Sequence, residues 1–334
     1  MKENMTSFFK NKKFLISFGI ILILLLSYFF VFYFLFSAPD SKSSQVKAFT
    51  VSLKANQSDT IVKLKTQGLI KNVSAFNLIH KLKGNKDIES GGYYLSKNMN
   101  VWQVLKHLSD GPEMKWVVIP EGLRKEEIGE RLQKILVWSN QDLIDWNEKY
   151  TAMKFDYLEG VYFPDTYLIP ISDKPVDVAK RFTNHFNEVF ASYFQKFQDK
   201  GMLWTTGLRF ASVIQREAGS KSDMSLIAGI LWNRLDQKMK LEIDATVQYA
   251  RGKTDTGWWA PIKASDITNI DSSYNTYQNE GLPLHPICNP GLAAIDAVLN
   301  PETTDCLYYL HDSDRQIHCA KTYEEHLENI KKYL

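Results

Sequence analysis

The sequence predicts an α+β protein: a single N-terminal transmembrane helix, a small α/β module, and a larger, mainly helical α+β domain. Three observations carry this. Residues 14–36, "FLISFGIILILLLSYFFVFYFLF", contain no charge. From about residue 49, short strand-like and helix-like patterns alternate. Beyond Gln141 the apolar spacing becomes mainly helical. At 334 residues the chain is long enough for about two domains with their own cores.

About 20 apolar residues span a bilayer, so 14–36 is long enough to anchor the chain. It is too long for a typical signal-peptide core. A cleaved signal is the other reading, because the small residues Ser37 and Ala38 follow. The leader carries Lys2, Lys10, Lys12 and Lys13 against Glu3, and the far flank is less basic. The positive-inside rule places the leader in the cytoplasm and the rest outside, on the inner (cytoplasmic) membrane. The expected divisions are leader 1–13, membrane helix 14–36, linker 37–47, module 48–112 and the larger domain 113–334. With net charge +2 and no long basic stripe, nucleic-acid binding is not expected.

In the module, "FTVSL" reads as a strand and "SDTIVKLKTQGLI" as a helix capped by Ser58 or Asp59. "VSAFNLIHKLKG" reads as a second helix, and "GGYYLSKNMNVWQVLKHLSDG" as a strand, a turn and a third helix. "WVVIPEGLRKEEIGERLQK" repeats strand, turn and helix. Further on come a long amphipathic helix from Pro175, a helix ending near Gly219, and another capped by Ser222 or Asp223. A Pro/Gly/Asn-rich loop then feeds a helix at Gly291, and a terminal helix closes the chain. Cys306 and Cys319 flank a predicted hairpin with its turn near Asp312 to Asp314. Being equidistant from the turn centre, they should face each other, as a disulfide outside the cytoplasm or as two buried thiols.

One residue breaks its helix's pattern. At about 100° per residue, Phe210, Ala211, Val213, Ile214 and Ala218 share one face of "FASVIQREAGS". Arg209, Ser212, Gln215 and Arg216 share the other. Glu217 falls within the apolar arc and in the last turn, where the helix dipole is negative. Thr205 or Thr206 should cap the start, and Gly219 should take a left-handed turn after the end. Burial and a negative helix end both favour the protonated carboxyl, the state a general acid needs. The plainer alternative is a snorkelling or salt-bridged glutamate, with Arg216 or Lys221 as its partner.

Downstream, Asn233, Arg234, Asp244, Thr246, Gln248, Tyr249, Asn275 and Tyr277 cluster in sequence, with Thr276 beside the last two. Amides and hydroxyls in irregular loops suit a sugar-binding cleft, and Trp258 and Trp259 could stack on pyranose faces. Each also has a structural reading as a cap or core residue. No CxxC or HExxH motif occurs, and neither a metal nor a cofactor is expected.

The blocks "LEGVYFPDTY", "ASVIQREAG", "LWNRLDQKMKLEIDATVQYA", "YNTYQNEGLPLHPICNPGLAAIDAVLNP" and "KTYEEH", in this order, resemble the endolytic murein transglycosylases, the YceG-like proteins. The resemblance implies a single-pass anchor, a membrane-proximal LysM-like module and an extracytoplasmic catalytic domain. It further implies non-hydrolytic cleavage within peptidoglycan glycan strands, near peptidoglycan synthases. The family's helix commonly reads Glu-Lys-Glu. Here Gln215, Arg216 and Glu217 stand there, so Glu217 matches the catalytic acid. Other departures are Pro283-Leu284-His285 after Leu282, where the family usually has Pro-Pro-Gly after Gly-Leu, Ala245 within Asp-Pro-Thr, Cys288 for a small residue, and Cys306 and Cys319 at often aromatic positions. A muramidase-type hydrolase pairing Glu217 with Asp244, and a non-catalytic glycan binder, are the rival expectations. Glu159 is read as structural.

Overall fold

The structure, a computed structural model, describes residues 2–150 and 159–334, with side chains from residue 15 onward. Leu158, the first residue of one family-like block, and the leader's lysine side chains lie outside these. The chain is α+β and divides into two compact units, Met1–Trp116 and Val117–Leu334.

The first unit opens with helix α1, Lys2–Phe36. Its part Leu15–Phe36 has mean hydropathy 2.7, long and apolar enough to cross a membrane. Strand β1 (Val46–Val51), helices α2 (Gln57–Thr66) and α3 (Val73–Leu82), strand β2 (Gly91–Ser96) and helix α4 (Val101–Asp110) follow. β1 and β2 pair antiparallel, from Val46 opposite Ser96 to Val51 opposite Gly91. Phe49, Leu64, Phe76, Tyr93, Leu95 and Val104 form the core between sheet and helices. The cap of α2 is Asn56, whose side chain accepts from the Asp59 N–H, and not Ser58 or Asp59.

The stretch expected as a linker is bonded to this unit. The Asp40 N–H donates to the Lys97 carbonyl at 3.0 Å, and Lys71 Nζ donates to Ser37 Oγ at 2.8 Å. Phe36, which reads in sequence as the end of the membrane span, is 6% exposed and belongs to the module's core. Its ring centroid lies 5.2 Å from that of Trp102.

Strand β3, Met114–Val118, leads into the second unit. There follow helices α5 (Lys125–Leu136) and α6 (Asn140–Asp145), a π-helical turn Trp146–Tyr150, strand β4 (Thr166–Pro170) and helix α7 (Pro175–Asp199). Next come α8 (Trp204–Glu217), α9 (Met224–Asp236), α10 (Asp244–Arg251), α11 (Ala264–Asn269) and α12 (Leu292–Leu299). The hairpin β5 (Tyr308–His311) and β6 (Ile317–Ala320) and helix α13 (Tyr323–Tyr333) end the unit. On α7, Val178, Phe182, Phe186, Phe190, Tyr193 and Phe197 recur every three or four residues and are buried. α8 lies against that stripe and against α9 and α12. Gly207 permits the approach: a Cβ there would sit 2.1 Å from Cε1 of Phe197.

The ends of α8 differ from expectation. Leu203 precedes the helix with no side-chain cap, and Thr205 and Thr206 lie within its first turn. The chain leaves through an extended Ala218. Gly219 is not left-handed; it is needed for space. A Cβ there would stand 3.1 Å from the His311 ring and 3.3 Å from Asp223 Oδ2. Asp223 precedes α9 as expected, but its carboxylate accepts from the Ser220 N–H at 3.0 Å and from Ser220 Oγ at 2.9 Å instead of capping.

Cys306 and Cys319 form a disulfide with Cα atoms 5.8 Å apart. They are not partners on the ladder, because Tyr309 stands opposite Cys319 and Tyr308 opposite Ala320. The turn is centred later than expected: the Asp312 N–H bonds to the Gln316 carbonyl, and Arg315 takes φ 62°.

Candidate active site

Glu217 is the last residue of α8 and borders a cavity of about 310 Å³. Tyr277, Tyr308, Tyr309 and Tyr323 line the wall together with Leu241 and the polar groups of Arg234, Glu242 and His326. A larger cavity of about 600 Å³ lies between β4 and α7, around Asp165 and His185. The chemistry favours the smaller one, because the half-buried carboxyl on the apolar helix face opens there.

Tyr309 Oη donates to Glu217 Oε2 at 2.7 Å. Burial pushes the Glu217 carboxyl above the ordinary glutamate range, and the negative charge of Asp244 adds to this. The Tyr309 hydrogen bond and the positive charge of Arg216 oppose it without reversing it. Burial, together with the Glu217 charge, holds the Tyr309 hydroxyl well above its ordinary value, so it remains a donor.

Neither candidate salt-bridge partner is used on Glu217. Lys221 Nζ lies 3.4 Å from Glu121. The Arg216 guanidinium lies 3.8 Å from the Trp259 ring centroid and donates to the Gly122 carbonyl. The other polar residues of α8 hold the loop between Leu282 and Gly291. Arg209 donates to the carbonyls of Leu282 and Pro283. Ser212 Oγ accepts from the Ile287 N–H, and Gln215 Oε1 accepts from the Gly291 N–H at the start of α12. The face read as polar is therefore a seam between helix and loop, and Ser212 is fully buried.

The candidate binding residues divide into groups. Arg234 and Tyr277 line the cavity with Glu217. Arg234 is also fixed, donating from Nε to the Leu307 carbonyl at 2.6 Å and from Nη1 to that of Leu241 at 2.8 Å. Asp244 is exposed, and its Oδ1 accepts from Tyr277 Oη at 2.6 Å. Asn233 donates to the carbonyls of Thr304 and Cys306. Buried Thr246 bonds to the Ile243 carbonyl and to Thr276 Oγ1. Buried Asn275 donates to the carbonyls of Ile267 and Ile270. Gln248 is half-buried on α10.

Tyr249 belongs to a different cluster. Its hydroxyl donates to Glu159 Oε2 at 3.1 Å. Glu159 is fully buried and also accepts from the Lys125 N–H at 2.9 Å and from Asn289 Nδ2 at 2.8 Å. Burial raises its proton affinity. The tryptophans expected as sugar platforms carry cations instead: Arg124 lies 4.4 Å over Trp258, and Arg216 covers Trp259. Tyr308, Tyr309, Tyr323, Glu242 and His326 were not legible as site residues. Tyr308 and Tyr309 read as ordinary strand residues, and only the hairpin's docking beside Glu217 distinguishes them.

The sequence profile of the YceG-like family matches residues 49–332. The chain belongs to the YceG-like family. A Bacillus subtilis (strain 168) protein named endolytic murein transglycosylase is 30% identical, covering 81% of this chain and 80% of its own length. A protein of the same name from Streptococcus pneumoniae serotype 2 is 27% identical over 97% of this chain, which spans 65% of that relative. A crystal structure of a yceG-like protein from Listeria monocytogenes superposes with a TM-score of 0.59 at 26% identity, covering 86% of this chain and 99% of that one.

Proposed function

We propose that this protein is a membrane-anchored endolytic lytic transglycosylase of peptidoglycan, with Glu217 as its acid and base. The observation that carries the reading is the Glu217 carboxyl itself. It is half-buried, raised in proton affinity, held by one tyrosine and open to a cavity lined by four tyrosines. The family and the names of two relatives supply the substrate class.

The protonated Glu217 donates to the oxygen linking N-acetylmuramic acid to N-acetylglucosamine. The muramoyl C1–O bond breaks, leaving an oxocarbenium-like centre at C1. The Glu217 carboxylate then takes the proton of the muramoyl C6 hydroxyl as its oxygen bonds to C1. The products are a free 4-hydroxyl and a 1,6-anhydromuramoyl end, and Glu217 regains its proton. One carboxyl serves both steps, and no metal or cofactor enters the scheme. Tyr277, Tyr308 and Tyr323 contact the sugars. Asn233, Thr246 and Asn275 act indirectly, by ordering the loops.

The membrane helix holds the enzyme on the cytoplasmic membrane with the leader inside and everything after the helix outside. The β–α–α–β module, likened above to LysM, stands closest to the bilayer. This placement puts cleavage on nascent strands, within reach of peptidoglycan synthases.

One observation favours a second reading. Asp244 is exposed and its charge is felt at Glu217, so it could activate water as in a muramidase. Its bond from Tyr277 argues for a positioning role instead. The test is a digest of glycan strands by the full-length protein in detergent, beside Glu217→Gln and Asp244→Asn, with product ends read by mass spectrometry. Anhydro ends are expected from the parent and from Asp244→Asn, with Glu217→Gln slower by about 10²–10⁴-fold. Reducing ends that vanish in Asp244→Asn would replace this reading with the hydrolase.

A further inference from the structure

Glu217 is held by a tyrosine on another element, and that element is fastened in several places. Asn233 holds the carbonyls of Thr304 and Cys306, and Arg234 holds that of Leu307. The disulfide ties Cys306 to Cys319 across the open end of the hairpin. Tyr308 stacks on His326 with centroids 5.5 Å apart. His311, two residues beyond Tyr309, brings its Nε2 to 3.4 Å from Asp223, in the turn after the Glu217 helix. Side chains two apart on a strand share a face, so one face of β5 meets the end of α8 through both Tyr309 and His311.

We propose that Tyr309 is a positioning residue that reserves Glu217 Oε2 as a hydrogen-bond acceptor and thereby directs the transferable proton to Oε1. The proposal rests on the reading of Glu217 as the acid and base. In a carboxylic acid, the oxygen bearing the proton is the poorer acceptor. A fixed donor on Oε2 therefore leaves the proton on Oε1. When Oε1 gives up its proton, the same tyrosine bond becomes charge-assisted and tightens. It thus stabilises the carboxylate as the glycosidic bond breaks, when the acid becomes anionic. The later step returns a proton to the same oxygen, so donor and acceptor geometry is kept through the cycle.

Other charged or titratable groups face this carboxyl and stay constant in the comparison that follows. Asp244 stands at the start of α10, and Glu242 in the loop before it. Arg234 comes from α9, Tyr277 from the loop before α12, His326 from α13 and Arg216 from α8 itself. Asp223 and His311 lie beside the turn that follows. Tyr309 differs from all of these in donating directly to the carboxyl.

The test compares the full-length parent with Tyr309→Phe, which keeps the ring and removes the donor. Two quantities are read: the pH dependence of glycan cleavage, and the titration midpoint of the Glu217 carboxyl by carbon NMR. Removing a bond that favours the carboxylate makes Glu217 hold its proton to higher pH. The alkaline limb of the rate profile and the NMR midpoint should both move up. The rate at the optimum should fall by about tenfold, the value of one good hydrogen bond. Unmoved limb and midpoint in a folded variant would reduce Tyr309 to packing and overturn the proposal. If Tyr309→Phe fails to fold, 3-fluorotyrosine incorporated at Tyr309 provides the second arm. Its more acidic hydroxyl donates more strongly, so both readouts should move down; no movement overturns the proposal equally. The NMR midpoint does not depend on turnover. A midpoint that responds to Tyr309 while the parent cleaves nothing would support the tyrosine's hold and locate the failure in the reaction assigned to Glu217.

Discussion

A carboxyl on an apolar helix face is a cost to the folded state unless it is used. Glu217 has its proton affinity raised by burial, so the native state binds that proton more tightly than the unfolded chain. Its contribution to stability is present at low pH and is lost as pH rises through the raised folded value. Glu217→Gln carries no charge and can still accept from Tyr309. It should melt at the same temperature as the parent in acid and at a higher one above neutral pH. Melting curves across pH check this, and a parent that outlasts the variant at alkaline pH would contradict the assignment of burial as the main cause. This residue was legible because helical periodicity fixes direction to within a fraction of a turn. The same wheel sent Ser212 to the polar side, yet Ser212 is fully buried. Periodicity reports polarity, and a polar face can be covered by backbone as well as by water. Here Arg209, Ser212 and Gln215 bond to a loop whose course no local pattern predicts.

At the scale of elements, the disulfide and the Glu159 cluster make separable predictions. The disulfide closes a short loop, with sequence separation 13. Cys306→Ser with Cys319→Ser should destabilise the second unit by about 3 kcal/mol on the loop-entropy account, measured by denaturant unfolding. An unchanged midpoint would mean that Asn233 and Arg234 hold the hairpin unaided. Glu159→Ala strands the Lys125 N–H, the Tyr249 hydroxyl and the Asn289 amide. The loss should be about 3–5 kcal/mol, with cleavage per folded molecule kept within a few-fold. A stable but inactive Glu159→Ala protein would instead make Glu159 part of the chemistry. Strands and long helices were legible from spacing, whereas several caps were not. Asn56 caps α2 where the sequence points to its neighbours Ser58 and Asp59, and no side chain caps α8 although Thr205 and Thr206 suit the role. The cysteines were expected to face each other by counting from the turn. They do bond, but the counted register is displaced because the turn is centred later than its acidic residues suggest.

At the scale of the whole molecule, the membrane span and the module merge at one side chain. Phe36 ends an unbroken apolar run, so the sequence offers no sign that it leaves the lipid-facing set. Its burial in the module core implies that the module sits against the end of the anchor helix. Phe36→Ala should weaken the first unit by about 3 kcal/mol, seen as faster amide exchange in β1 and α3 in detergent. Unchanged exchange would show that the module does not depend on its anchor. The order of elements was legible along nearly the whole chain, because each long periodic segment carries its own signal. The cavity was not, because its walls come from α8, α9, two loops, a hairpin and the last helix. The reaction assigned to the whole protein is tested most directly by digesting intact glycan strands in water enriched in oxygen-18. The account predicts new muramoyl ends that carry no label, because the sugar's own C6 oxygen closes on C1. Label at those ends would mean that water attacks, and the single-acid transglycosylase would be wrong.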